Sequence, residues 1–253
     1  MMKYLTTIVF LLLWFPNVSH AAIARDSSLG AQITGSATSL TYSFTNTAGN
    51  LLILSCQGAL TNVASNITGA TYNAVSMTKL GGYDGSGGSG YNRYNYIFYL
   101  ISPATGANNV VVSSSPAGFI DCYTQSYSGV KTTGNPFQTD SGRYAGTNAS
   151  ITFSPTTGTG RWAIFSIMSR SSQDAGCFAS ASASVASADY VTNPAASMVG
   201  VFDSNGTTGS SYTFGFSGCT QSATNGFMYT FDPAASASSV SPILAAILQV
   251  RWW

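Results

Sequence analysis

Hydrophobic residues along this chain recur with a period of two, in short runs. In Tyr94-Asn95-Tyr96-Ile97-Phe98-Tyr99-Leu100, one parity carries Tyr94, Tyr96, Phe98 and Leu100 and the other carries Asn95, Ile97 and Tyr99. That alternation predicts a strand buried mainly on one side. Similar runs cover residues 40–44, 51–56, 110–114, 119–127, 162–168, 198–202, 212–216 and 227–231, most of them bounded by Gly, Asn, Pro or Asp. No amphipathic helical period lies between them. Many short strands at fairly even spacing predict an all-β fold, a two-sheet antiparallel β-sandwich of jelly-roll type.

Three segments depart from this pattern. Residues 1–21 read as a signal peptide: Lys3 supplies the positive start, residues 6–15 the short apolar core, and Ser19-His20-Ala21 the small residues before a cut at Ala22. The apolar run falls short of the roughly 20 residues needed to span a bilayer, and no later stretch reaches that length. Residues 179–188 alternate Ala with Ser and fit either a small-faced strand or a loop. Residues 236–253 form an apolar C-terminal tail, read as a strand or short helix docked on its own domain, with a sorting or attachment signal as the alternative and self-association through it as a candidate partner interaction. No charge run or Pro-rich linker divides residues 22–235, which predicts a single β-sandwich domain.

Composition narrows the chemistry. Charged residues are 7% of the chain, against roughly 25% in an average globular domain. Without Lys3, eight Lys and Arg face eight Asp, so the mature chain is close to neutral and offers no basic face for nucleic acid or anionic lipid. The four cysteines, Cys56, Cys122, Cys177 and Cys219, are an even number in an exported chain and lie tens of residues apart, which favours two disulfides over a zinc site. Pairing Cys56 with Cys122 and Cys177 with Cys219 joins neighbours in sequence order; spacing alone leaves the other connectivities open.

Several words, read in order, point to relatives. Gly49-Asn50-Leu51-Leu52-Ile53, Thr71-Tyr72-Asn73 with Met77-Thr78, Tyr99-Leu100-Ile101-Ser102-Pro103 with Gly106-Ala107-Asn108, and Ser126-Tyr127-Ser128-Gly129-Val130 resemble a group of β-sandwich modules of secreted bacterial and phage-associated proteins. The likeness is continuous over residues 40–131 and resumes at 162–167 and 211–231. It implies a sandwich fold and an extracellular setting, and it carries over no catalytic residue. The cysteines, the glycine-rich stretch and the tail depart from it. The words themselves are folding signals: Gly49-Asn50 reads as a turn, residues 103–106 as a tight connection, and Gly129 as a strand end at positive φ.

Histidine and glutamate are absent from the mature chain, since the single His is His20 and every acidic residue is Asp. Triads and histidine-containing zinc sites therefore have no imidazole. Two aspartates can serve a glycosidase, but Asp84, Asp121, Asp140, Asp174, Asp189, Asp203 and Asp232 form no recognisable pair. No enzyme activity and no cofactor are expected. Asp84, and Asp203 near Asn205, are candidate calcium ligands of an extracellular sandwich. Asn66, Asn148 and Asn205 match the N-glycosylation pattern, and Gly85–Gly90 matches GxGxxG without the helix that motif requires.

The candidate ligand-binding residues lie at 81–94. A flexible glycine-rich loop there would present Tyr83 and Tyr91 beside Asp84, Asn92 and Arg93, ring faces for sugars with polar groups for hydroxyls. The expected function is a non-catalytic extracellular binding module for glycans or a cell surface. The alternative is a structural subunit of a surface layer, appendage or virion-like assembly, joined through the tail or an edge strand.

Overall fold

The computed structural model describes residues 21–61, 67–87, 91–138, 144–146, 150–155, 158–170, 190–192, 198–204, 206, 211–215 and 223–235. The N-terminal stretch through His20 that reads as a signal peptide, the Ala-Ser stretch, Cys177, Cys219 and the tail lie outside them. All elements among the described residues are strands, paired antiparallel. In chain order they are β1 (Ala24–Asn46), β2 (Leu51–Thr61), β3 (Ile67–Tyr72), β4 (Val75–Ser76), β5 (Thr78–Gly87), β6 (Tyr91–Ile101), β7 (Gly106–Ser128), β8 (Phe137–Gln138), β9 (Tyr144–Gly146), β10 (Ser150–Phe153), β11 (Trp162–Arg170), β12 (Tyr190–Thr192), β13 (Met198–Asp203), β14 (Tyr212–Gly215) and β15 (Ala223–Phe231).

β1 and β7 are each 23 residues long and pair along their length. The N-terminal half of β7 runs between the end of β1 and β3; its C-terminal half runs between the start of β1 and β2. Register shifts between Ile33, Ala37 and Ser39 mark where the pair passes from one set of neighbours to the other. The seven-stranded sheet β4-β3-β7-β2-β6-β5, with β1 on β7, thus curls around a first core that includes Leu40 and Phe44 from one wall and Leu54, Tyr96 and Phe98 from the other.

The sandwich continues beyond that sheet. β12-β13-β11-β15-β8 form a second sheet, with β9 on β15, and β10 pairs β14. A second core joins Leu51, Ile53, Ile97 and Tyr127 of the first sheet to Trp162, Ile164, Phe227 and Phe231 of the second. A third joins the far side of β11, Ala163, Phe165 and Ile167, to the small sheet's Ile151, Phe153, Tyr212 and Phe214.

β2, β6 and β11 therefore lie between two apolar layers. For β6 this corrects the expectation of one buried side: Tyr94, Asn95, Tyr96, Ile97 and Phe98 are all at most 2% exposed. Alternation survives, but it sorts residues between two cores instead of between core and water. The turn words hold at the backbone level. Asn46 is buried, accepts from the Gly49 amide at 3.0 Å and donates to the carbonyls of Gly49 and Ala104, both at 3.2 Å, tying two turns together. Gly129 has φ +68°, and a Cβ there would collide with the Ala22 carbonyl oxygen. No helix among the described residues is long and apolar enough to cross a membrane.

Candidate functional site

The stretch expected to be a flexible loop is mostly strand. β5 pairs β6 from Thr78 opposite Tyr99 to Gly87 opposite Tyr91, with one irregularity between Lys79 and Gly81. Two of its glycines answer to packing. A Cβ on Gly81 would collide with the Tyr229 hydroxyl oxygen, and one on Gly82 would collide with the Tyr96 ring. Lys79 lays its Nζ 3.8 Å from the centroid of the same ring. Gly81 and Gly82 thus let β5 lie against Tyr229 and Tyr96, where a side chain would meet rings that are themselves buried.

Register locates the five candidate residues. Tyr83 is opposite Asn95, Asp84 opposite Tyr94, Gly85 opposite Arg93, Ser86 opposite Asn92, and Gly87 opposite Tyr91. On its other side β6 pairs β2, with Arg93, Asn92 and Tyr91 opposite Ala59, Leu60 and Thr61. The five backbones meet at one end of the sheet, Tyr83, Tyr91 and Arg93 in the rows of one parity and Asp84 and Asn92 in those of the other. The side chains of these five lie outside the described residues.

Beneath this end lies a polar row that the sequence reading missed. Asp121 on β7, Gln57 on β2 and Asn95 on β6 are consecutive cross-strand partners on the face that packs against β11. They are 5%, 2% and 0% exposed. Gln57 Nε2 donates to Ser166 Oγ at 3.1 Å, Ser166 Oγ donates to Asn95 Oδ1 at 2.8 Å, and Asn95 Nδ2 donates to the Ser166 carbonyl at 3.0 Å. These bonds stitch the first sheet to the second. Gln57 Oε1, Asp121 Oδ1 and the neighbouring Ser55 Oγ are buried without a hydrogen-bond partner. Burial raises the Asp121 carboxyl from 3.8 to about 7. On the same parity Leu51, Ile53, Ile97 and Tyr123 join the second core while Ser55 and Gln125 are also polar and buried, so no pattern in the sequence singled these three out.

Two other aspartates, Asp203 and Asp232, are held in structural contacts. Asp203, considered above as a calcium ligand, accepts from the Tyr127 hydroxyl at 3.0 Å, and Arg25 Nη1 lies 3.2 Å from the same oxygen. Burial, and then the negative charge of Asp203, push the Tyr127 phenol well above its ordinary value, so it stays a donor. Arg161 Nε and Gln138 Nε2 hold the two oxygens of Asp232 at 2.6 Å each. Among the described residues no group of three or more His, Cys, Asp or Glu is placed to hold a metal ion. Cys56 and Cys122 form a disulfide between directly opposed positions of β2 and β7.

Chemically, the row can donate and accept hydrogen bonds and can hold one proton. The groups that the register sets around Asp121 are amides and hydroxyls, without a second carboxylate among the described residues. Comparison with known proteins finds no family model that matches this chain and no curated protein that resembles it at a significant level.

Proposed function

We propose that this chain is a secreted, non-catalytic binding module that recognises glycans or a cell surface through the end of the β5–β6 hairpin. The observation that carries this reading is the pairing of β5 with β6 out to Gly87 opposite Tyr91, which gathers Tyr83, Asp84, Tyr91, Asn92 and Arg93 at one end of a strand-built arm. Tyrosine rings suit the C–H faces of sugars, and Asp, Asn and Arg suit their hydroxyls. A binding surface on paired strands loses less conformational entropy on capture than one on a free loop. The leader-like N-terminus and the Cys56–Cys122 bond fit an oxidising, extracellular setting.

Replacing Tyr83 and Tyr91 together by alanine is expected to weaken glycan or cell-surface binding by roughly 1–3 kcal/mol while leaving the thermal midpoint nearly unchanged. Glycan-array and cell-binding profiles identical to wild type would sink the assignment. A large loss of stability would show instead that the rings belong to the core. A second reading, a structural subunit of a surface assembly, draws on β5 standing at the end of its sheet's strand order. Under that reading light scattering finds concentration-dependent assembly that removal of residues 236–253 abolishes.

A further inference from the structure

We propose that Asp121 and Gln57 share a proton: the Asp121 carboxyl donates to Gln57 Oε1, completing the buried row that joins β7, β2, β6 and β11, and the row opens when that proton is lost.

Asn95 Nδ2 donates to the Ser166 carbonyl, so its Oδ1 faces the Ser166 hydroxyl as an acceptor; the hydroxyl donates there and accepts from Gln57 Nε2. That chain of directions turns Gln57 Oε1 away from Ser166 and leaves it an acceptor in need of a donor. The residue directly opposite Gln57 on β7 is Asp121, whose Oδ1 is also a buried acceptor with no donor. Opposed residues of an antiparallel pair hold their Cβ atoms about 4.5–5.5 Å apart, within reach of one carboxyl-to-amide hydrogen bond. Both atoms are buried acceptors without a donor on directly opposed residues, and one proton placed between them satisfies both.

Charge in the surroundings points the same way. The groups around Asp121 are Tyr123 on its own strand, Gln57 and Ser55 on β2, Asn95 on β6 and Ser166 on β11, and none of these is a Lys, an Arg or a second carboxylate. On β1 its register partner is Gln32. Arg93 on β6 and Arg170 on β11 lie farther along their strands, with side chains outside the described residues, and Tyr83 and Asp84 on β5 likewise. Nothing described offsets the cost of an anion here, consistent with burial as the cause of the raised Asp121 value.

The sign of the pH effect follows from proton counting. Between the ordinary carboxyl value of 3.8 and the folded value of about 7, the folded chain holds a proton that the unfolded chain has released. Stability from this group is therefore complete below about pH 4 and is lost as pH rises towards 7. A separation of about three units corresponds to a change of up to roughly a thousandfold in the folding equilibrium constant.

The test is urea unfolding of wild type and Asp121→Asn between pH 4 and pH 8, with the Asp121 carboxyl carbon followed by NMR in the wild-type protein. Asparagine offers the same donor to Gln57 Oε1 at every pH. The variant's folding constant relative to wild type should rise by up to roughly a thousandfold over that range, and the carboxyl should titrate near pH 7. A ratio that does not change with pH, or a titration near pH 4, overturns the proposal. So does a gain in wild-type stability at pH 8 on adding calcium or sodium that Asp121→Asn removes, because the oxygens would then be serving a metal cation.

Discussion

Replacing Cys56 and Cys122 together by alanine is expected to lower the unfolding free energy by roughly 4 kcal/mol in urea titrations. The two residues are 66 apart in sequence, and a cross-link closing a loop of that length removes about this much free energy from the unfolded ensemble through chain entropy. The loop it closes contains β3, β4, β5 and β6, so the bond restricts the strands that carry the candidate surface. Both cysteines are at most 1% exposed within the first core. Reductant without denaturant should therefore leave the bond intact, and reduction should follow unfolding. A loss below about 1 kcal/mol would mean that the unfolded chain is already confined without the bond.

Arg25→Ala is expected to cost about 3 kcal/mol. Asp203 is 1% exposed and shares its Oδ2 between Arg25 and the Tyr127 hydroxyl, so removing the guanidinium leaves a carboxylate buried without its cation. The arginine side chain is 25% exposed, which places the cost at the lower end of that for breaking a buried pair. The effect reaches across the molecule, because Arg25 lies at the start of β1, Tyr127 near the end of β7 and Asp203 at the end of β13. Asp203→Asn keeps an acceptor for Tyr127 and removes the charge, so Arg25→Ala with Asp203→Asn should recover a large part of the loss. Additive losses in that double-mutant cycle would show that the pair is not coupled.

The strand words were legible because β-branched and aromatic residues alternate within them, and β2, β6 and β11 appear where the pattern predicted strands. The Cys56–Cys122 bond appears as favoured, while Cys177 and Cys219 lie outside the described residues. Three features were not legible, each for a physical reason. Leu40 to Phe44 read as a short strand of its own because the Ser- and Thr-rich remainder of β1 has no apolar alternation; what holds it in a 23-residue strand is pairing with β7. Period two cannot distinguish a strand facing water from one facing a second core, so the burial of Asn95 and Ile97 on β6 had no local signature. Gly81 and Gly82 read as flexibility, whereas the space they leave is filled by Tyr229, far along the chain on β15, and by Tyr96. The candidate ligand residues were chosen by type, and the structure adds their register.

The proposed recognition surface is a preformed strand hairpin whose inner strand, β6, is buried on both faces from Tyr94 to Phe98. Amide hydrogen exchange across residues 78–101 tests that most directly. β6 is paired on one side to β2 and on the other to β5, so the amides of Tyr94 to Phe98 should exchange only through opening close to global unfolding. Amides of β5 bonded to β6 should exchange faster than these and still well below the rate of an unstructured chain. Exchange at the unstructured rate throughout residues 81–94 would contradict the account and return this stretch to a flexible loop.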